Sequence, residues 1–335
     1  MRWLQAAWLA ALSICFAQPV EKARLEQVRL VSGRAQHSGY TDLARFNQRW
    51  FLAFREGRFN RSPDGAIRVL TSSDGEVWVQ AAYFAQPGAD LRSPRFSVTP
   101  NGRLLISATT GLDATSGSAI WITADGRNWE PAGRPAPPAL LLSRFVWIHG
   151  HGFALASSVD PLGKLRIYAT TGESFTTHGE PVEAPGEPAE SALVILDNGA
   201  AYCLLAREGA DKTTLLGRSR SPYLAWSWQD LKQTLATPAL LRLPDGRMVA
   251  AGRALDETVR TSLFWLDVEA GKLTEFFALP SSGDTGYPGL VFHDGSLWIS
   301  YNSSHEGRTA IYLARVKLPP VADNRRPTRS LTFGR

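Results

Sequence analysis

Cysteine is nearly absent: the 335-residue chain has two, Cys15 in an apolar N-terminal run and Cys203 in a second apolar stretch. Neither stands at metal-ligand spacing from another Cys or His, so no internal disulfide, metal site or cofactor is expected. Long Leu/Ala/Glu/Lys runs are also missing, which argues against a helical or doubly wound architecture. Beyond the first residues no segment approaches the ~20 apolar residues of a membrane-spanning helix. Charge is only mildly unbalanced, with 36 Lys+Arg against 31 Asp+Glu. The arginines form no basic stripe, so nucleic acid is not an expected partner.

The two ends differ from the rest. Arg2, the apolar Trp3 to Phe16 and the small Ala17 have the order of a secretion signal, 1–17,. Leu12-Ser13-Ile14-Cys15 faintly resembles a lipoprotein box, but Ile14 occupies a place where a small residue is needed. Cleavage near Ala17 is therefore the reading, with a secreted or periplasmic mature chain. Residues 318–335 carry Arg325, Arg326, Arg329 and Arg335 in a polar setting and read as a disordered tail,. Between them 18–317 is read as one domain, expected to be monomeric.

What is abundant is punctuation and aromatic surface. The chain has 29 Gly, 21 Pro, 11 Trp and 8 Tyr, the composition of many short strands joined by tight turns,. One unit recurs: an apolar strand, a polar turn, a second apolar strand. Examples are "DLARFNQRWFLAFRE" (42–56), "SPRFSVTPNGRLLISATT" (93–110) and "YPGLVFHDGSLWISYN" (287–302). The turns fall at Asn47, Asn101, His149, Asn198, Asp245 and Asp294, at intervals of 54, 48, 49, 47 and 49 residues. A third strand and an outer strand follow each hairpin. Six such units predict an all-β, six-bladed β-propeller. A β-helix has shorter repeats, and a sandwich would not repeat six times.

"SSDGEVW" (72–78) and "TADGRNW" (123–129) match each other 51 residues apart. They place Asp74 and Asp125 in turns between third and fourth strands. These segments resemble the Asp-box of sialidases and related propellers, which implies a structural role on the outer edge.

In a propeller the starts of the inner strands and the ends of the second strands gather around one mouth of the central channel. This rule collects Arg92, Arg144, Glu190 and Tyr287 from the first strands. It adds Arg55, Glu56, Arg207 and Arg253 from the second strands, and Asp64, Arg260 and Glu306 from the following connections. His305 shares the last of these connections, whereas His149 and His151 fall on the opposite face. So many arginines on one rim point to a carboxylate-bearing ligand, because a guanidinium grips a carboxylate with two parallel hydrogen bonds.

The rim resembles that of the sialidases (neuraminidases). "GYPGLVFHDGSLWISYN" is similar to the segment that carries their nucleophilic tyrosine, which implies that role for Tyr287. Glu190 and Arg207 stand seventeen residues apart across an Asp-Asn-Gly turn, as their activating glutamate and a substrate-binding arginine do. "VRTSLFW" implies Arg260 as a further carboxylate ligand, and "AFREGRFNRSPDGAIRV" implies Asp64 as acid/base. Sialidases are the tyrosine exception among retaining glycosidases. A neutral phenol approaches a carboxylate-bearing sugar without charge repulsion. The first blade departs from the pattern: Gly39-Tyr40-Thr41 stands where an Arg-Ile-Pro segment is expected. Arg55, Arg92 and Arg144 are the rim arginines that could replace the missing one. Two readings follow: an exo-glycosidase releasing terminal sialic acid or another acidic sugar, or a non-catalytic lectin binding sialylated or other acidic glycans.

Overall fold

The structure, a computed structural model, describes residues 22–111, 117–133, 141–157, 164–210 and 212–321. The expected signal segment lies outside them, as does most of the expected tail. At the start of that tail Leu318 is buried and the Pro319 carbonyl accepts a hydrogen bond from Arg247. The folded part therefore reaches at least this far.

Among the described residues there is no helix, and the strands form six antiparallel sheets arranged as the blades of a propeller. The inner strands are His37–Phe46, Arg92–Val98, the split pair Leu141–Leu142 and Val146–Ile148, Glu187–Ile195, Leu235–Arg242 and Gly286–His293. Blade six is closed by the N-terminal strand Arg24–Ser32, which pairs with Ala310–Lys317 from Arg24↔Lys317 to Ser32↔Ile311. The repeat unit does not disclose this closure, because the two partners lie at opposite ends of the chain.

The core is divided into six clusters, one between each pair of adjacent blades. Strand alternation explains the division. Successive side chains point to opposite faces, so Ile106 joins the cluster shared with blade one and Leu105 the cluster shared with blade three. Cys203 and Leu204 split in the same way between blades three and five. Because both faces are buried, second strands such as Leu104–Thr109 are buried throughout, whereas the outer strand Arg24–Ser32 alternates. Cys203 is a buried thiol, pushed well above its ordinary range by that burial.

The turns at Asp74 and Asp125 are built alike. Asp74 Oδ1 accepts the N–H groups of Glu76 (2.7 Å) and Val77 (3.1 Å), and Asp125 Oδ1 those of Arg127 and Asn128 (both 2.8 Å). Both carboxyls face solvent on the blade edges. The donated N–H groups hold Asp74 down at about 2 and Asp125 lower still.

Candidate active site

Inner strands carry a shared irregularity at the channel mouth. In five blades the pairing with the second strand skips two residues: Tyr40-Thr41, Ser93-Pro94, Ala189-Glu190, Thr237-Pro238 and Tyr287-Pro288. Such a bulge re-aims side chains and bends the strand. Four of the first residues adopt left-handed backbone: Tyr40 (φ 57°), Ser93 (52°), Thr237 (51°) and Tyr287 (50°). None is glycine, and each such conformation costs ~1–2 kcal/mol. Neighbouring blades hold the Tyr287 bulge in place. Tyr287 N–H donates to Thr237 Oγ1 (3.0 Å), and Thr41 Oγ1 donates to the Tyr287 carbonyl (2.7 Å).

The bulges bring Tyr287 and Glu190 together. The Tyr287 hydroxyl donates to Glu190 Oε1 at 3.2 Å, across 97 residues of sequence. The Tyr40 ring leans on that of Tyr287 with centroids 4.3 Å apart. Burial pushes the Tyr287 phenol well above its ordinary 10; the charges of Glu190 and Tyr40 add to this, and Arg253 pulls the other way. The phenol is thus protonated at neutral pH, with a carboxylate oxygen already aligned on its proton.

Arg253 is the cation whose charge is felt by the Tyr287 phenol. It opposes Ala236 on blade five, the register at which Arg207 opposes Pro188 on blade four. Its buried Nε has no partner among the described residues. The same charge acts on Asp284, whose carboxylate accepts from Thr309 (3.0 Å) and meets His37 Nε2 at 2.7 Å. Burial alone would raise Asp284, but His37 and Thr309 hold it below the usual carboxylate value. The rim rule collects Arg253 but gives it no role, and it misses His37 and Asp284 because one precedes the first repeat and the other lies in an inter-blade loop.

The other arginines have prior commitments. Arg55 and Asp90 form a fully buried ion pair at 2.6 Å, and Arg55 also donates to the Phe59 carbonyl (2.7 Å) and Ser62 Oγ (3.1 Å). Arg207 donates to the Thr213 carbonyl (2.7 Å) and pairs with Asp230 at 3.2 Å. Arg260 is clamped between Asp256 (3.0 Å) and Glu275 (3.1 Å). Arg144 donates to Asp42 Oδ1 (2.7 Å) within the channel. Arg92 gives one N–H to the Gly111 carbonyl (3.1 Å), and its buried Nε has no partner among the described residues. Among the described residues, Arg92 and Arg253 are thus the rim arginines with a buried, unpartnered Nε.

Asp64 is exposed on the loop after the second strand of blade one, where Arg58 N–H donates to its Oδ2 (3.1 Å). It lines a groove with Glu56, Arg58 and Tyr83, apart from the residues that touch Tyr287. The Ser62 hydroxyl holds its carboxyl below the ordinary value. Glu306 accepts from Tyr312 (2.7 Å), and His305 Nδ1 meets Ser303 Oγ (2.9 Å).

No protein-family model and no curated protein matches the chain. Solved structures do resemble it. A Dyadobacter fermentans protein of unknown function superposes with TM-score 0.79 at 16% identity, covering 89% of this chain and 100% of that one. An α-L-arabinanase of Penicillium chrysogenum complexed with arabinobiose gives TM-score 0.66 at 14% identity, over 83% and 93% of the two chains. Trypanosoma rangeli sialidase in complex with sialic acid gives 0.67 at 11% identity, over 89% of this chain and 58% of that longer one. The chain has the six-bladed propeller fold of sialidases and arabinofuranosidases.

Proposed function

We propose that the protein is a retaining exo-glycosidase whose nucleophile is Tyr287 and whose activating base is Glu190. The observation that carries this is the 3.2 Å hydrogen bond from the Tyr287 hydroxyl to Glu190 Oε1 at the channel mouth. Glu190 takes the phenol proton as the phenolate oxygen bonds to the anomeric carbon, and the glycosidic bond breaks toward its oxygen. The departing oxygen takes a proton from the acid/base residue; water then attacks the anomeric carbon, returning a proton to that residue, and Glu190 gives its proton back to the Tyr287 oxygen. Asp64 is assigned the acid/base part on its place in the rim loop of blade one. Its lowered pKa weakens it both as a proton donor and as a base, so its place in that loop alone supports the assignment,.

For the substrate, an acidic sugar is the first reading, its carboxylate held by Arg253 and Arg92. A neutral pentofuranoside is the second. It is favoured by the commitment of Arg55, Arg207 and Arg260 to protein partners, and the arabinofuranosidase likeness agrees with it. Residues 1–17 would direct the chain out of the cytoplasm, toward glycans of either kind.

Fluorogenic sialosides, uronides and α-L-arabinofuranosides, each tested with the wild type and Tyr287→Phe, distinguish these readings. Release from one class by the wild type alone supports the enzyme and names the sugar. Glycan binding without release, unchanged by Tyr287→Phe, establishes the lectin instead. If Asp64 is the acid/base, Asp64→Asn slows poor leaving groups more than activated ones.

A further inference from the structure

Past the bulges, the same inner strands line a small cavity inside the channel. Its walls include Asp42, Arg95, Arg144, Ser191, Pro238 and Pro288, and its volume is about 40 Å³. That is space for one or two waters or a single small ion. The charges on its walls do not balance. Asp42 accepts from Arg144 at Oδ1 and from the Phe96 N–H at Oδ2, both at 2.7 Å. Arg95 is 9% exposed and donates to two backbone carbonyls, of Thr41 (3.2 Å) and Pro94 (3.5 Å). Among the described residues it makes no ion pair.

Carbonyl oxygens satisfy hydrogen bonds, but they do not neutralise a buried guanidinium. One carboxylate thus faces two arginines; Arg144 reaches solvent, but Arg95 is buried without a charge partner among the described residues, which is costly without a counter-ion,. Ser191 lies on the same wall, buried, and its Oγ has no partner among the described residues.

We propose that this cavity binds a small monovalent inorganic anion of the halide class. Arg95 and Arg144 supply the charge and the Ser191 hydroxyl donates. Neither Tyr287 nor Glu190 lines it, so the site is separate from the glycan site and does not depend on the glycosidase reading. Glu190 immediately precedes Ser191, so the bound anion braces the strand that presents the base.

The test is thermal unfolding of the full chain in sodium chloride or bromide against sodium gluconate at equal ionic strength, gluconate being too large to enter. Halide is expected to raise the midpoint in proportion to the logarithm of its concentration above the dissociation constant, by roughly 5 °C at a hundredfold excess. Arg95→Gln should lose that rise while melting no lower than the wild type in gluconate, because an uncompensated charge has gone. Tyr287→Phe should keep the full rise, which separates this site from the active-site reading. Equal midpoints in halide and gluconate, or a rise that survives Arg95→Gln, would overturn the proposal. If Arg95→Gln fails to fold, bromide-soaked wild-type crystals decide: an anomalous peak between Arg95, Arg144 and Ser191 supports the site, and its absence refutes it.

Discussion

Tyr287 holds a backbone conformation that a ring-bearing residue avoids, and two threonines from other blades keep it there. Removing only its hydroxyl leaves that scaffold untouched. Tyr287→Phe should therefore fold and bind glycan normally while hydrolysis falls by at least ~10³, a result that steady-state kinetics beside a binding isotherm would show. Glu190→Gln should cost ~10²–10⁴, the usual worth of a positioned base. Stability also depends on this residue's proton. Burial first, and Glu190 next, raise the Tyr287 phenol above its unfolded value of 10. The folded state thus holds the proton more tightly. Its contribution is complete below about pH 10 and lost as pH climbs through that range. Urea midpoints measured at pH 8 and pH 11 should fall less for Tyr287→Phe than for the wild type.

Within the strands and loops, two features are structural rather than chemical. The Arg55–Asp90 pair is sealed from solvent, and Asp90 keeps a second oxygen without a partner among the described residues. Burial raises Asp90 against the pull of Arg55 and Arg92. Truncation of Arg55 would strand that carboxylate, so Arg55→Met should destabilise by ~3–5 kcal/mol while Arg55→Met/Asp90→Leu recovers most of the loss. Chemical denaturation of the three proteins checks this. Gly289 marks a close approach of the blade-six and blade-one inner strands: a Cβ there would strike the Leu43 nitrogen and the Asp42 carbonyl carbon. Backbone cannot yield as a flexible side chain does, so Gly289→Ala should lower stability by ~1–3 kcal/mol.

At the scale of the whole molecule, closure depends on Arg24–Ser32. It covers the outer edge of Ala310–Lys317, and without it that strand presents a row of unpaired backbone groups,. Deleting residues 22–32 should turn a cooperative melt into a broad one with aggregation, visible by circular dichroism and size-exclusion chromatography.

The ring itself was legible in the chain. A period near 48 residues and apolar strands on both sides of each turn can only bury their surfaces by stacking blades. The same period put Tyr287 and Glu190 at inner-strand starts, hence at one mouth. Other features were not legible. Which arginines remain available depends on carboxylates brought to them by other elements: Asp90 for Arg55, Asp230 for Arg207, Glu275 for Arg260. Sequence distance conveys none of this, since an ion pair needs only a few ångströms of space and no spacing along the chain. Periodicity alone thus determined the blades and the rim. Tertiary contact decided which rim residues keep a free charge, because a charge is spent by whatever lies beside it.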